Sequence, residues 1–153
     1  MLDYETKTLI GVVDALELFG LCLRKRDSWT SPAYRSDPRR RSYAWELVNC
    51  GMPYSPRDWT EEALTAADRQ RFTRAVDRLC KQRLLVRVER FCHRLTHLQL
   101  TPRGLAVGIR VAEKIGEAVD LRAVKKALAV CEWATKEHRE ALAALRPKEA
   151  PAP

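Results

Sequence analysis

The sequence predicts a mainly α-helical domain carrying one small β-hairpin, and three observations predict it. Apolar residues recur at three- and four-residue steps over most of the chain, the spacing that lines one face of a helix. Between Leu85 and Leu100 the period drops to two and β-prone residues gather, which marks a pair of strands. The charge is uneven: of a net +8, residues 24–41 carry +5 and residues 65–97 carry +6, whereas 1–23 and 42–64 each carry −3. A basic helix and hairpin set among acidic segments has the electrostatic footprint of a nucleic-acid-binding face.

Each element follows in order. Leu9, Val12, Val13, Leu16, Phe19 and Leu23 form an apolar stripe, so residues 6–26 are expected to be an amphipathic helix. Residues 27–41, with Pro32, Pro38, several serines and the Arg39-Arg40-Arg41 run, are expected to be a basic loop. A short helix over 42–50 ends at Gly51 and Pro53; Ser55-Pro56 then starts a second short helix to about Ala63 by the cap-then-proline rule. Thr65 with Asp68 three residues on resembles a capping box, and Phe72, Ala75, Val76, Leu79 and Cys80 continue one face to Arg83, whose stem is expected to turn inward. Strands over Leu85–Glu89 and Leu95–Leu100 flank a turn at Cys92-His93-Arg94. Thr101-Pro102 opens a helix to about Ala118, Asp120 caps a last helix to about Leu145, and residues 147–153 are expected to be a frayed tail.

At 153 residues the chain suits one domain able to bury roughly 70% of its unfolded surface. Five cysteines, odd in number and without a CxxC pair, fit reduced thiols in a cytoplasm; Cys22, Cys80 and Cys131 fall in apolar-periodic stretches and are expected to be buried. The most apolar run, Leu9 to Leu23, contains Asp14 and Glu17 and is shorter than a bilayer span, so no membrane association is expected and a cytoplasmic location is.

The order of two short helices, a basic helix, a hairpin and a helix, over residues 42–105, resembles the winged helix-turn-helix core. Within it, Thr73-Arg74-Ala75-Val76-Asp77-Arg78-Leu79-Cys80-Lys81-Gln82-Arg83-Leu84-Leu85-Val86-Arg87-Val88 and then Leu98-Gln99-Leu100-Thr101-Pro102-Arg103-Gly104-Leu105 resemble the recognition-helix end, first wing strand and closing L-T-x-x-G of MarR-like bacterial transcriptional regulators. The resemblance implies a recognition helix, here 66–83, in the major groove of duplex DNA and a wing, here 85–100, on the backbone or in the minor groove. It also implies a homodimer built by helices outside the core, which nominates 6–26 and 106–146.

Helical geometry nominates the contacting residues independently. With Phe72, Val76 and Leu79 inward, Gln70, Arg74, Asp77 and Lys81 lie on the opposite face, flanked by Arg71, Thr73 and Arg78. Docked helices read bases chiefly from their N-terminal half, which assigns readout to Gln70, Arg71, Thr73 and Arg74 and phosphate contact to Arg78 and Lys81. Glutamine pairs with adenine and arginine with guanine. At the hairpin tip Arg90, His93 and Arg94 are nominated for phosphate or minor-groove contact, the alternative being a solvated tip. Arg39, Arg40 and Arg41 form a second basic patch, either a phosphate-binding arm or a charged loop.

Cys92, His93 and His97 fall short of the four ligands a zinc site normally uses, so no metal is expected and His97 is expected to alternate outward. No phosphate-binding glycine loop, nucleophile elbow or metalloprotease helix occurs, so neither catalysis nor a cofactor is expected. The apolar stripes Leu105, Ile109, Ala112, Ile115, Val119 and Leu121, Val124, Leu128, Cys131, Leu142, Leu145 exceed what a small winged core covers, which favours a twofold dimer over packing within a monomer. Two functions remain open: a sequence-specific double-stranded-DNA regulator, or a winged-helix interaction module that docks a partner protein or structured RNA. An effector ligand is not identified by any residue.

Overall fold

The computed structural model of the chain describes residues 2–24, 38–90 and 92–145. Within them lie six α-helices and one three-stranded antiparallel sheet. In chain order these are α1 (Tyr4–Arg24), α2 (Pro38–Asn49), β1 (Met52–Pro53), a 3-10 turn (Pro56–Trp59), α3 (Ala66–Lys81), β2 (Leu85–Arg90), β3 (Arg94–Leu100), α4 (Pro102–Lys114), α5 (Leu121–Val130) and α6 (Lys136–Ala144). The mainly helical class with a small β-hairpin is the one that periodicity predicts.

Helix α1 is the centre of the fold. Val12, Val13 and Leu16 are wholly buried, with Leu9 and Phe19 nearly so, and the helix packs on α3, α4 and α5. Its approach to α5 is so close that a Cβ on Gly20 would lie 1.7 Å from the carbonyl oxygen of Ala123. The same crossing is tied by hydrogen bonds: the Asp120 N–H donates to the Glu17 carboxylate at 2.6 Å, and the Asp120 carboxylate accepts from the Ala123 N–H at 3.0 Å, capping α5. At Gly11, where a Cβ would meet the Trp59 indole at 2.2 Å, the 3-10 turn rests on α1. Trp59 in turn meets Phe72 of α3 edge-on, ring centroids 5.7 Å apart.

The apolar stripes predicted to exceed a small core find their cover within one chain. Leu105, Ile109, Ala112, Val124 and Leu128 are buried against α1 and its neighbours, and only Ile115 of these two stripes is among the exposed large apolar side chains. Cys131 is buried and its thiol is pushed up to about 12 by that burial. Cys22, expected inside, is exposed because α1 turns that face away from its helical neighbours, and Cys80 is only half-buried.

In the sheet β3 lies between β1 and β2, with Met52 opposite Leu98, Leu85 opposite Leu100 and Arg90 opposite Arg94. Strand β1 escaped the sequence reading because it is two residues long and contains Pro53, tolerable on an edge.

Several predicted features differ from the structure. Helix α2 starts at Pro38, not Ser42, so Arg39, Arg40 and Arg41 lie in its first turns instead of a loop; proline suits a first helical position. Positions 27–37, the rest of that loop, and 147–153, the predicted tail, lie outside the described residues, as do the side chains of Arg39, Arg40 and Arg41. The helix expected over 56–63 is only a 3-10 turn, and the Ser55 hydroxyl donates to the Asp58 carboxylate at 2.6 Å instead of capping the backbone. The last helix is broken between Val130 and Lys136, where the Glu132 N–H donates to the Val48 carbonyl at 2.8 Å and the Trp133 indole N–H to the Leu47 carbonyl at 2.9 Å. Arg83, expected to turn inward, is exposed at φ 60°, in the turn that leads from α3 into β2.

Gly20→Ala therefore drives a methyl group into a backbone carbonyl that a rotamer change cannot move. Its expected cost is about 1–3 kcal/mol or more, as for overpacking a tight core. Urea unfolding midpoints of the two proteins measure it, and an unchanged midpoint would contradict the crossing.

Candidate nucleic-acid interface

Helix α3 begins with the capping box its sequence predicts. The Thr65 hydroxyl accepts from the Asp68 N–H at 3.1 Å while the Asp68 carboxylate accepts from the Thr65 N–H at 3.1 Å. The Tyr4 hydroxyl also donates to Asp68 at 2.7 Å. That hydroxyl, followed by the Thr65 donors, holds the Asp68 carboxyl down at about 2. The N-terminal turn of α1 is thus bonded to the N-terminal turn of α3, with Tyr4 also edge-on to Phe72 at 4.9 Å.

Phe72, Ala75, Val76 and Leu79 are buried, as the periodicity requires. Gln70, Arg74 and Lys81 are exposed on the opposite side and carry no ion pair among the described residues. Asp77 interrupts their row, but its carboxylate pairs with Arg87 of β2 at 2.5 Å, and Arg87 also reaches Glu89 at 3.2 Å. That bridge fastens the hairpin to the helix. The Thr73 hydroxyl donates to the Arg69 carbonyl at 2.9 Å, so its proton is already used. Arg69, one step to the side of Gln70, is a further exposed cation of the N-terminal half that the stripe arithmetic left out.

Two nominated cations stand elsewhere than expected. Arg71 donates to the Tyr4 hydroxyl at 3.3 Å and lies 4.0 Å from Asp68, while Arg78 forms an ion pair with Glu5. Both belong to the edge of α3 that faces α1. Tyr4 and Glu5 lie more than 60 positions from their partners, and no local pattern in the sequence joins them.

The hairpin separates its three nominated residues in a similar way. Arg90 reaches back to α2, pairing with Glu46 at 3.5 Å and lying over the Trp45 ring at 5.3 Å. His93 and Arg94 are exposed at the tip, where Cys92 and His93 adopt φ 59° and 61° to close the turn. His97 does not alternate outward as expected. It is 5% exposed because β3 is the middle strand, its Nδ1 lies 2.8 Å from the Thr96 hydroxyl, and burial holds its basicity below the usual imidazole value. Cys92 and His93 therefore stand apart from His97, and among the described residues no group of three His, Cys, Asp or Glu side chains is placed to hold a metal ion. Among the described residues no helix is long and apolar enough to cross a membrane.

What remains facing solvent is a row of Arg69, Gln70, Arg74 and Lys81 beside a tip carrying His93 and Arg94. Such a surface supplies hydrogen-bond donors and positive charge. Thr65→Ala is expected to destabilise the chain by about 1 kcal/mol through loss of the cap. Because Asp68 titrates lower in the fold than the ordinary 3.8, the stability it adds is complete above that value and is lost as the pH falls toward 2. Tyr4→Phe is expected to move the Asp68 titration upward, which carboxyl NMR resolves; an unmoved titration would contradict the bond. No family model, curated protein or solved structure matches the chain.

Proposed function

We propose that the chain is a sequence-specific double-stranded-DNA-binding regulator of winged helix-turn-helix type. Helix α3 enters the major groove and the β2–β3 hairpin lies along the backbone or in the adjoining minor groove. The observation that carries this reading is the exposed row of Gln70, Arg74 and Lys81 on a helix stapled by Asp77–Arg87 to a hairpin with a basic tip. The sheet order β1-β3-β2, with the basic helix directly before the hairpin, supports it as well.

In this reading Gln70 and Arg74 face base edges, with Arg69 and Thr73 beside them, while Lys81, His93 and Arg94 meet phosphates. Arg71 and Arg78 contribute only by leaving Tyr4 and Glu5. Exposed ion pairs are worth about 0–1 kcal/mol each, so phosphates can displace them at little cost. A homodimer would bring two such helices to adjacent half-sites of a palindrome, through surfaces other than the stripes buried within each chain.

One observation favours a second reading. The helix that crosses the backbone ahead of a recognition helix is here a four-residue 3-10 turn, which gives duplex DNA less purchase. A module with such a face would dock a partner protein or structured RNA and bind duplex DNA weakly and without regard to sequence.

Selection of genomic fragments by the purified chain, followed by anisotropy titration over a salt series, separates the two. A regulator is expected to prefer its best site over a scrambled duplex by roughly a thousandfold or more. Arg74→Ala is expected to lose about 1–3 kcal/mol of discrimination at one base pair, and Lys81→Ala to weaken all duplexes alike with a salt slope smaller by about 1. Equal binding to every duplex would discard the first reading.

A further inference from the structure

One face of α1 borders a cavity of about 1280 Å³ that is also lined by α2, β1, the 3-10 turn and Asp68 at the start of α3. Its size exceeds the usual range of small-molecule sites, roughly 300–1,000 Å³, so it admits a ligand of several rings. The apolar floor is made by Ile10, Leu18, Phe19, Leu47 and Trp59. Leu18 is 59% exposed there, an apolar side chain left open to solvent inside a concavity.

The charged lining is predominantly acidic. Asp14, Asp58, Glu61, Glu62, Asp68 and Glu117 contribute carboxylates, and Lys7 is the one ammonium among the described lining residues. Asp68 is engaged by Tyr4 and Thr65, and Asp58 by Ser55, but Asp14 and Glu117 stand near each other with repulsion between them. We propose that this cavity is a binding site for lipophilic organic cations, an aromatic or alkyl body bearing a quaternary or protonated centre, with the body on the Leu18–Trp59 floor and the charge beside Asp14.

The Asp14 carboxyl is pushed up to about 6, first by partial desolvation at the cavity wall and then by Glu117 and Glu17, with no cation among the described residues paired to it. The Trp59 and Tyr43 rings in the lining add faces to which a cation is drawn. Among the described residues the carboxylates are not grouped as metal ligands, which separates an organic cation from a divalent ion. Since the whole chain has a net charge of +8, general electrostatics repels a cation, and any affinity has to come from this local surface. The site and its test stand independently of whether α3 binds DNA.

Isothermal titration of the full chain with tetraphenylphosphonium, and with the neutral, similarly shaped triphenylphosphine oxide, tests the proposal. One saturable site is expected, with the cation bound at least tenfold more tightly than the neutral compound. Asp14→Asn and Leu18→Gln, both at exposed positions and checked for an unchanged unfolding midpoint, are each expected to weaken the cation at least fivefold, while Arg74→Ala leaves it unchanged. Absence of saturable binding, equal affinity for the neutral compound, or indifference to Asp14→Asn would each overturn the assignment. So would saturable binding of an arginine-rich peptide at this face without binding of the phosphonium.

Discussion

The crossing of α1 and α5 at Gly20 and Ala123 is the constraint on which the remaining architecture depends. Two backbones meet there without an intervening side chain, and the Glu17 carboxylate fixes the start of α5 in the same place. With α5 against one side, α1 presents Val12, Val13 and Leu16 to the rest of the core, and α3 and α4 settle on that surface. The pitch of the basic helix is inherited from this arrangement through Tyr4, which meets Phe72, Asp68 and Arg71 at once.

A second consequence concerns charge. The sequence concentrates cations between residues 65 and 97, but the fold does not leave them all in one field. Arg78, Arg87 and Arg90 each face a carboxylate from another element of the fold, and Arg71 is held by the Tyr4 hydroxyl and by Asp68 of its own helix. The cations of this stretch that stay exposed without an ion pair among the described residues are Arg69, Arg74, Lys81, Arg83 and Arg94. Local charge sums thus overstate the strength of the surface and misplace its centre toward residues that serve as intramolecular ties.

Elements governed by neighbouring residues were legible in the sequence. The Thr65–Asp68 box, the Thr101 and Asp120 caps and the change of period at Leu85 each rest on contacts three or four positions apart or on alternation, and each stands where expected. Features governed by distant contacts were not. Nothing near Trp59 announces that its indole needs the missing side chain of Gly11, and nothing near Cys131 announces that the Leu47 and Val48 carbonyls will interrupt a promising helix. The same limit applies to the candidate interface: face geometry found Gln70, Arg74 and Lys81, whereas the diversion of Arg71, Arg78 and Arg90 depends on Tyr4, Glu5 and Glu46, far away in the chain.

The break at Cys131 bears on how the chain comes together in time. It turns α6 back so that the His138 imidazole reaches the Leu100 carbonyl at 2.7 Å, while α5 covers the stripe of α1 across a separation of 103 positions. On the ribosome α1 is therefore made well before α5, the helix that covers it. Loop closure of that length is slow, and an amphipathic helix left waiting is open to association with other nascent chains. Glu17 and Asp14, acidic residues set within that helix, keep it from being uniformly apolar during the interval before α5 arrives.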